Sequence, residues 1–253
     1  MKKNTDKISI ILPNYNSEEF LDTTIKSITN QSLKNWELII IDDCSNYRTK
    51  QILKKYLKHK KIKVSFLKKN RGAGFCRNLA IKKSKGNYVA FIDSDDLWKK
   101  NKLINQLSFM KKNNFSFTYT NYETFDQKNK KIIVPKKFKY EEFTKNTSIA
   151  TSTMMIKRSE IGNIKFTNTE ICEDYFFKCK ILKKVKTAYR LDEFLTKYRI
   201  RKNSLQSNNM KNFYWIWKIN KTFNKMSFLQ NLISIFSISI NSLIRYGGKN
   251  FFY

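Results

Sequence analysis

The chain has 253 residues, 41% hydrophobic and 15% aromatic, enough to fill the core of one large α/β domain or two small ones. Its four cysteines form no CxxC pair and its single histidine is His59, which excludes a zinc cluster. The net charge is +31, with lysines spread along the whole chain. We interpret this charge mainly as a solvated surface and, as the alternative, as a field that favours anionic partners.

The cysteines and the first residues predict the compartment. Unpaired cysteines in a domain of this size indicate a reducing cytosol. The start, MKKNTDKISIILPNYNS, is basic, but its apolar run is too short for the core of a signal peptide. We therefore predict a cytoplasmic protein.

The first half of the chain alternates between apolar runs and helical patterns. The segments between runs include the helical patterns EEFLDTTIKSITNQ and GFCRNLAIKKS. This alternation predicts βαβ units and a mainly parallel central sheet flanked by helices, with ligands bound beyond the carboxyl ends of the strands. The apolar runs are Ile8 to Leu12, Trp36 to Ile41, Ile62 to Leu67 and Tyr88 to Ile92.

The second half is less regular. We predict a strand pair in FSFTYTNYETF and KKIIVP, a short strand in TSTMMI, a helix in EDYFFKCKILKK and two strands in TAYRLDEFLTKYRI. No linker rich in Pro, Gly or Ser divides this half from the first. We expect one domain over residues 1–207 and a basic, helical C-terminal tail over residues 208–253.

The tail contains an amphipathic pattern, FLQNLISIFSISINSLI, from Phe228 to Ile244. A membrane-spanning helix needs roughly 20 mainly apolar residues, so we expect this shorter, interrupted segment to lie on a surface. We favour packing of its apolar face against the rest of the protein. The alternative is an anionic membrane surface, which would place the protein peripherally on the cytoplasmic face of the inner membrane, because several lysines precede the helix. The polar stripe opposite the apolar face consists of Gln230, Ser234, Ser237 and Asn241.

Acidic residues follow the fourth apolar run, where GNYVAFIDSDDLW contains Asp93, Asp95 and Asp96. Ser94 or Asp95 could simply cap the following helix, in LWKKNKLINQLSFMKK. A cap uses one side chain, however, and three carboxylates at one strand end repel each other unless a positive charge lies among them. A divalent cation with oxygen ligands accounts for all three.

Other strand ends carry side chains suited to a nucleotide. Asp42 and Asp43 follow the second run and can accept hydrogen bonds from a nucleobase imide or a ribose. Tyr15, after the first run, can stack on a base. The structural alternatives are a turn for the two acids and core packing for Tyr15.

The loop after the third run, NRGAGFCRN, is rich in small and basic residues. It holds Gly72 and Gly74 beside Arg71 and Arg77. Glycines allow close backbone approach, and a helix N-terminus favours negative charge, so the loop predicts an anion contact.

Three motifs in this order resemble the nucleotide-sugar domain of family 2 glycosyltransferases, which are inverting enzymes of the GT-A fold. The motifs are ILPNYNSEEFLDTTIKSITNQSLKNWELIIIDDCS, NRGAGFCRNLAI and GNYVAFIDSDDLW. Residues 8–110 resemble the nucleotide-binding half, and residues 111–207 more loosely resemble the acceptor-side half. Short bacterial enzymes that build surface polysaccharide or teichuronic acid are similar in length and layout. The resemblance implies a UDP-sugar as donor and a growing glycan, linked to a polyprenyl diphosphate, as acceptor.

The resemblance also implies residue roles. Asp95 and Asp96 would hold Mn²⁺ or Mg²⁺ against the diphosphate. Asp93 could be either a third metal ligand or a residue that supports the site structurally. The nucleotide pocket would be lined by Pro13, Tyr15, Asp43 and Asn70, beside the contacts considered above for Asp42, Gly72 and Arg77.

An inverting transfer also needs a carboxylate that removes the proton of the acceptor hydroxyl. The stretch ICEDYFFKCKIL resembles the family's acidic motif at a helix start, in which the second acid is the base. This implies Asp174 as the base and Glu173 as a neighbour that positions the acceptor or the base. The structural alternative is that both acids complement a helix N-terminus. His59, in the charged run KYLKHKKIK, is a poor candidate.

The stretch YRIRKNSLQ departs from the family pattern, which often carries His where this chain has Arg201. A guanidinium cannot coordinate a cation, so Arg201 or Arg199 is expected to contact the diphosphate directly. The QxxRW motif of processive members is absent, which predicts transfer of one sugar at a time.

Two other functions stand as alternatives. A nucleotidyltransferase on a similar sheet needs a Gly-rich triphosphate loop after the first strand, where this chain has PNYNS. A nucleic-acid-binding module would use the positive charge, but the sequence holds no recognised nucleic-acid motif, and acids at the predicted site would repel phosphate unless metal is bound. We therefore expect a transferase and no nucleic-acid partner.

Overall fold

The computed structural model describes residues 6–126, 129–201 and 209–246. The strands of this part are β1 (Ile8–Asn14), β2 (Trp36–Asp42), β3 (Ile62–Phe66), β4 (Tyr88–Phe91), β5 (Leu97–Trp98), β6 (Phe117–Asp126), β7 (Lys130–Ile132), β8 (Lys137–Phe138), β9 (Met155–Lys157) and β10 (Ala188–Ile200). The helices are α1 (Leu21–Thr29), α2 (Tyr47–Lys54), α3 (Ala73–Lys83), α4 (Lys102–Lys112), α5 (Tyr140–Phe143), α6 (Arg158–Ile161), α7 (Glu173–Val185), α8 (Asn209–Thr222) and α9 (Phe228–Tyr246), and a 3₁₀ helix covers Thr151–Thr153.

The four apolar runs of the first half form parallel neighbours in the order β3-β2-β1-β4. Every residue of β1, β2 and β4 is buried, as expected for parallel strands covered by helices on both faces. Ile11 packs in the hydrophobic cluster on one face of the sheet and Ile10 in that on the other, because side chains alternate along a strand. The predicted βαβ units are confirmed in this half.

The second half adds short antiparallel pairings to the parallel ones, so the sheet as a whole is mixed. The order continues from β4 through β9, β6 and β10 to β5, and β9 runs antiparallel to both β4 and β6. The predicted strand pair is confirmed as β6 and β7, which are antiparallel. Antiparallel neighbours need no helical crossover, which is why the second half lacks the regular alternation of the first.

Two predictions for the second half are wrong in detail. The predicted strand in TSTMMI is a 3₁₀ helix followed by the short strand β9. The two strands predicted in TAYRLDEFLTKYRI form one long strand, β10, whose register against β6 shifts on both sides of Phe194. Such irregularities bend a strand without ending it, and the intervening polar residues therefore looked like a turn.

The C-terminal helix α9 turns its polar side toward the protein. Asn231 and Ser234 are buried, whereas Phe228 and Phe236 are 70% and 69% exposed. The favoured prediction, that the apolar face packs inward, is wrong because buried amide and hydroxyl groups of α9 find hydrogen-bond partners on the protein side. Of the described helices, none combines the length and hydropathy that crossing a bilayer requires.

Candidate active site

The ends of β1 and β2 are held together by a polar cluster. Asn14 Nδ2 donates to Asp42 Oδ1 at 2.7 Å and to Ser45 Oγ at 3.3 Å, and Asp42 Oδ2 accepts from the Ser45 N–H at 3.1 Å. Asp42 is completely buried. These contacts are the ones expected of a turn, which was the alternative to nucleotide binding for Asp42. The role of Asp42 in nucleotide binding stays a prediction.

Tyr15 and Pro13 flank this cluster at the end of β1. Pro13 is buried within the strand, whereas Tyr15 directly after it is 52% exposed. An exposed aromatic ring at the carboxyl end of a parallel strand offers a surface on which a base can stack. Core packing is therefore not the role of Tyr15.

Asp43 organises the glycine-rich loop. Its Oδ1 accepts from the Arg71 N–H and its Oδ2 from the Gly72 N–H, both at 2.7 Å. Gly72 has a φ of 84°, a backbone conformation that residues with a Cβ atom adopt only with strain. The carboxylate thus shapes the loop that leads from the exposed Asn70 into α3, and it takes up two of the loop's N–H groups.

Gly74 lets this loop approach the start of α7. A Cβ atom at Gly74 would lie 2.3 Å from the Thr167 carbonyl oxygen and 3.1 Å from Glu173 Cγ. Only glycine leaves room for this contact. The loop sequence predicted the backbone role of Gly74, but the contact by which Gly74 brings the acidic helix to the strand ends depends on residues distant in the chain.

Arg77 is the buried link between the two acidic motifs. Its Nη2 binds Asp93 Oδ1 at 2.7 Å, its Nη1 binds Glu173 Oε1, and its guanidinium lies over the Phe166 ring. Although burial disfavours the cation, the Asp93 and Glu173 carboxylates raise the pKa of Arg77, so the guanidinium stays charged. In this structure Arg77 joins two carboxylates of the protein, and its contact with an anion stays a prediction.

The three acids after β4 have three different partners. Asp93 is bound by Arg77, Asp95 by Arg201 Nη2 at 2.7 Å, and Asp96 Oδ1 accepts from the Arg199 N–H at 2.9 Å. Burial raises the pKa of Asp96 well above its usual value, and the neighbouring Asp95 and Asp93 carboxylates raise it further. Burial likewise raises the pKa of Asp95, with Arg201 acting in the opposite direction.

The 3₁₀ helix connects the two acidic motifs through successive hydroxyl groups. Thr151 Oγ1 donates to Asp174 Oδ2 at 2.8 Å, and Ser152 Oγ donates to Asp96 Oδ2 and accepts from the Asp93 N–H. Sequence reasoning missed both residues. Adjacent hydroxyl residues before an apolar run were the visible signal, but nothing local showed which carboxylates they would meet.

Asp174 is the second residue of α7, and its side chain is 19% exposed. Burial alone would raise its pKa, but the Lys178 ammonium at 2.6 Å, helped by Arg77 and Thr151, holds the pKa of Asp174 well below its usual range. The adjacent Glu173 has the opposite character, because burial raises its pKa against the influence of Arg77. The two neighbouring acids therefore have different environments, which favour the ionised form of Asp174 and disfavour that of Glu173.

A metal ion would find few ligands in this arrangement. Among the residues described, no group of three or more His, Cys, Asp or Glu side chains is placed to hold one. Asp96 is buried with both oxygens accepting hydrogen bonds, whereas Asp95 keeps some exposure and already binds a cationic group. Since Mg²⁺ bound to phosphates usually takes only one or two carboxylates, Asp95 fits the role of a single protein ligand.

Arg199 and Arg201 lie beside these acids at the end of β10. Arg199 Nε donates to the Asp95 carbonyl oxygen at 2.9 Å and its guanidinium lies over the Phe20 and Phe125 rings. The Arg201 side chain is 42% exposed. Both arginines are thus at the predicted diphosphate position, with Arg201 the more open of the two.

The predicted acids, arginines and loop residues therefore meet at one edge of the sheet. His59 does not join them, because it stacks on Trp36, which begins β2 at the opposite end of the strand. The site consists of a Gly-rich loop, a group of strand-end acids with two arginines, and an ionised carboxylate at a helix start. This is the set of groups that binding and displacing a nucleoside diphosphate requires.

Solved structures share this fold. The chain aligns with S. aureus TarS, residues 1–349 in complex with UDP-GlcNAc, with a TM-score of 0.72 and 22% identity, covering 96% of this chain and 74% of that one. It spans 44% of a longer S. aureus TarS chain. A mannosyltransferase from Pyrobaculum calidifontis, in complex with GDP-Man and Mn²⁺, gives a TM-score of 0.69 at 12% identity over 96% of this chain and 71% of that one.

Sequence relatives extend over most of the chain. TuaG of Bacillus subtilis (strain 168), named for teichuronic acid biosynthesis, is 38% identical over 88% of this chain and 90% of its own length. WfgD of Escherichia coli, named a UDP-Glc:alpha-D-GlcNAc-diphosphoundecaprenol beta-1,3-glucosyltransferase, is 34% identical over 84% of each chain. Residues 9–177 match the family described as Glycosyl transferase family 2. The resemblance carried by the three sequence motifs is thereby confirmed, and the chain belongs to glycosyl transferase family 2.

Proposed function

We propose that this glycosyltransferase is a metal-dependent, inverting enzyme that moves one sugar at a time from a UDP-sugar to a lipid-linked glycan of the bacterial surface. The observation that carries the proposal is the pair of hydroxyls in the 3₁₀ helix. Thr151 binds Asp174 and Ser152 binds Asp96, so the predicted base and the predicted diphosphate site are held by successive residues. An inverting displacement needs these two functions on opposite sides of one anomeric carbon.

The reaction follows from the charges at the site. Asp174, ionised at neutral pH, accepts the proton of the acceptor hydroxyl while that oxygen bonds to the anomeric carbon and the bond to the diphosphate oxygen breaks. Arg201, which is 42% exposed beside Asp95, would stabilise the negative charge on the departing diphosphate. A divalent cation held at Asp95 would neutralise part of the same charge.

The relatives support the choice of substrates. UDP-GlcNAc is bound in the TarS structure, and WfgD and WfaP of Escherichia coli are named for transfer from UDP-Glc to a diphosphoundecaprenol-linked sugar. A polyprenyl-linked acceptor would bring the enzyme to the cytoplasmic face of the membrane. We further propose residues 1–207 as the catalytic domain, with residues 208–253 as its extension.

Donor and metal binding can be tested together by thermal unfolding. A UDP-sugar with Mn²⁺ is expected to raise the unfolding temperature, since a ligand at about 100 times its Kd stabilises by about 2.7 kcal/mol. Asp95→Asn should abolish the part of the shift that depends on Mn²⁺. Asp6→Asn is the matched control, because Asp6 precedes β1 at the other end of the sheet. An unchanged Mn²⁺-dependent shift in Asp95→Asn would remove Asp95 as the ligand.

Replacing Lys178 is expected to change the pH dependence of turnover. The ammonium is the largest influence that lowers the pKa of Asp174 against burial, so its removal should raise that pKa. Because the base must be ionised, the acid limb of the profile of kcat/KM against pH should move to higher pH in Lys178→Met. Lys183→Met, an exposed lysine on the same helix, should leave the profile in place. If both variants share the wild-type profile, Asp174 is not the group that titrates.

A further inference from the structure

Helix α9 presents a continuous apolar face to solvent. Phe228, Leu229, Phe236 and Ile244 are between 66% and 74% exposed. They share one side of the helix with Ile240 and further leucines and isoleucines at intervals of three and four residues. Isolated exposed apolar residues are ordinary, but a stripe of this length marks an interaction surface.

The inward side of α9 shows that this orientation is specified. Asn220 Nδ2 on α8 donates to Asn231 Oδ1 and to Ser234 Oγ, each at 3.0 Å, and Ser234 Oγ donates to the Thr144 carbonyl oxygen at 2.7 Å. Near the helix end, Asn241 Nδ2 donates to the Lys145 carbonyl oxygen. Rotating α9 to bury its apolar side would leave these polar groups without their partners, which is costly for buried amides.

Helix α8 extends the apolar face with aromatic and basic side chains. The Trp217 ring contacts the exposed Phe228 ring at 5.5 Å, so this side of α8 adjoins the outer face of α9. Tyr214, Lys218 and Lys221 share that side by their helical spacing, and Lys218 Nζ lies 5.6 Å from the centre of the Tyr214 ring. Residues 194–253 contain no Asp or Glu. The apolar stripe is thus bordered by lysines and amphipathic aromatics, with no acid in the same segment.

We infer that one surface of α8 and α9 docks the protein onto an anionic lipid bilayer. This α8–α9 surface consists of the outer face of α9 and the side of α8 that carries Tyr214, Trp217, Lys218 and Lys221. An interfacial helix of this kind inserts its apolar side among the acyl chains, while neighbouring lysines bind acidic headgroups and aromatic rings lie at the boundary. The lysine border selects this occupant over a second copy of the chain, whose own surface would be equally basic.

The docking surface is connected to the helix that carries Asp174. Tyr175 Oη donates to Asn220 Oδ1 at 2.7 Å, and the Phe176 and Phe223 rings pack 5.0 Å apart. The residues directly after Asp174 therefore pack on α8. Binding of α9 to a bilayer would hold the acceptor side of the site at a defined position relative to the lipid surface.

Vesicle sedimentation tests the inference without donor or acceptor, so its result is independent of the proposed reaction. The full chain is expected to sediment with vesicles of 30% phosphatidylglycerol in phosphatidylcholine and to bind pure phosphatidylcholine far less. Phe228→Ser with Phe236→Ser should lower the partition coefficient at least about tenfold. Lys218→Gln with Lys221→Gln should weaken binding to the anionic vesicles and remove part of its salt dependence.

Matched controls distinguish binding by this surface from nonspecific hydrophobic binding and from nonspecific electrostatic binding. Leu57→Ser with Ile133→Ser changes two apolar side chains that are also exposed, 50% and 70%, but lie elsewhere. Lys58→Gln with Lys60→Gln removes two exposed lysines between α2 and β3. Equal vesicle binding by the α9 variant and its control would overturn the inference. So would a wild-type dimer, seen in sedimentation equilibrium, that the α9 variant converts to monomer with no vesicle binding in either form.

Discussion

Replacing Asp174 by asparagine is expected to leave UDP binding intact and to reduce turnover by roughly 10²-fold to 10⁴-fold. The amide keeps the size of the side chain and can still accept the hydrogen bond from Thr151, but it cannot take the proton of the acceptor hydroxyl. The loss should therefore appear in kcat rather than in the donor KM. Steady-state kinetics combined with calorimetric UDP titration measures both quantities on the same preparation.

Glu170→Gln provides the control for this variant. Glu170 precedes α7, is 57% exposed in its side chain, and pairs with Lys211 on the surface. Its turnover should stay within about twofold of the wild type, because exposed ion pairs contribute little. Near-normal turnover of Asp174→Asn would exclude Asp174 as the base, whatever the outcome for donor binding.

Replacing Arg77 by methionine is expected to lower the free energy of unfolding by about 3–5 kcal/mol. The guanidinium is 6% exposed and its two partners, Asp93 and Glu173, would remain as carboxylates with no cation between them. Breaking a buried ion pair on one side costs more than removing it entirely, because the charge left behind stays desolvated. Urea unfolding at pH 8 measures the difference.

The double variant Arg77→Met with Glu173→Gln tests the reason for that loss. The second substitution removes the charge of Glu173, which is more buried than Asp93, and should recover part of the free energy of unfolding. The deficit of Arg77→Met should also shrink as pH falls, because a carboxyl whose folded pKa is raised is destabilising when ionised and neutral below that pKa. A deficit that is the same at pH 5 and pH 8 and is not relieved by Glu173→Gln would point to lost packing instead.

The first half of the fold could be predicted because its signals are local. Fully buried parallel strands read as continuous apolar runs, and the helices between them carry their own periodicity. The second half could not, since β10 is one strand interrupted by register shifts, and its polar stretch LDE looks like a turn in sequence. Which strands lie side by side, such as β9 between β4 and β6, depends on contacts distant in the chain.

The candidate site residues could be selected from the sequence for the same reason, but their partners could not. Asp43, Asp95 and Asp174 stand in recognisable motifs, each directly after a strand or at a helix start. Thr151 and Ser152 stand in no such motif and acquire their role only by lying between Asp174 and Asp96. Arg77 could be read as an anion contact, whereas the fold surrounds it with two carboxylates of the protein itself.

The order of the strand-end motifs, the helix that carries Asp174 and the amphipathic pattern of α9 all follow from short segments of the chain, because strand and helix periodicity are local. Which cation each carboxylate contacts and which side of α9 faces solvent depend on the folded arrangement. Such contacts join groups that are distant in the chain. In α9, the hydrogen bonds of buried Asn220 with Asn231 and Ser234 outweigh the tendency of the helix to bury its apolar side.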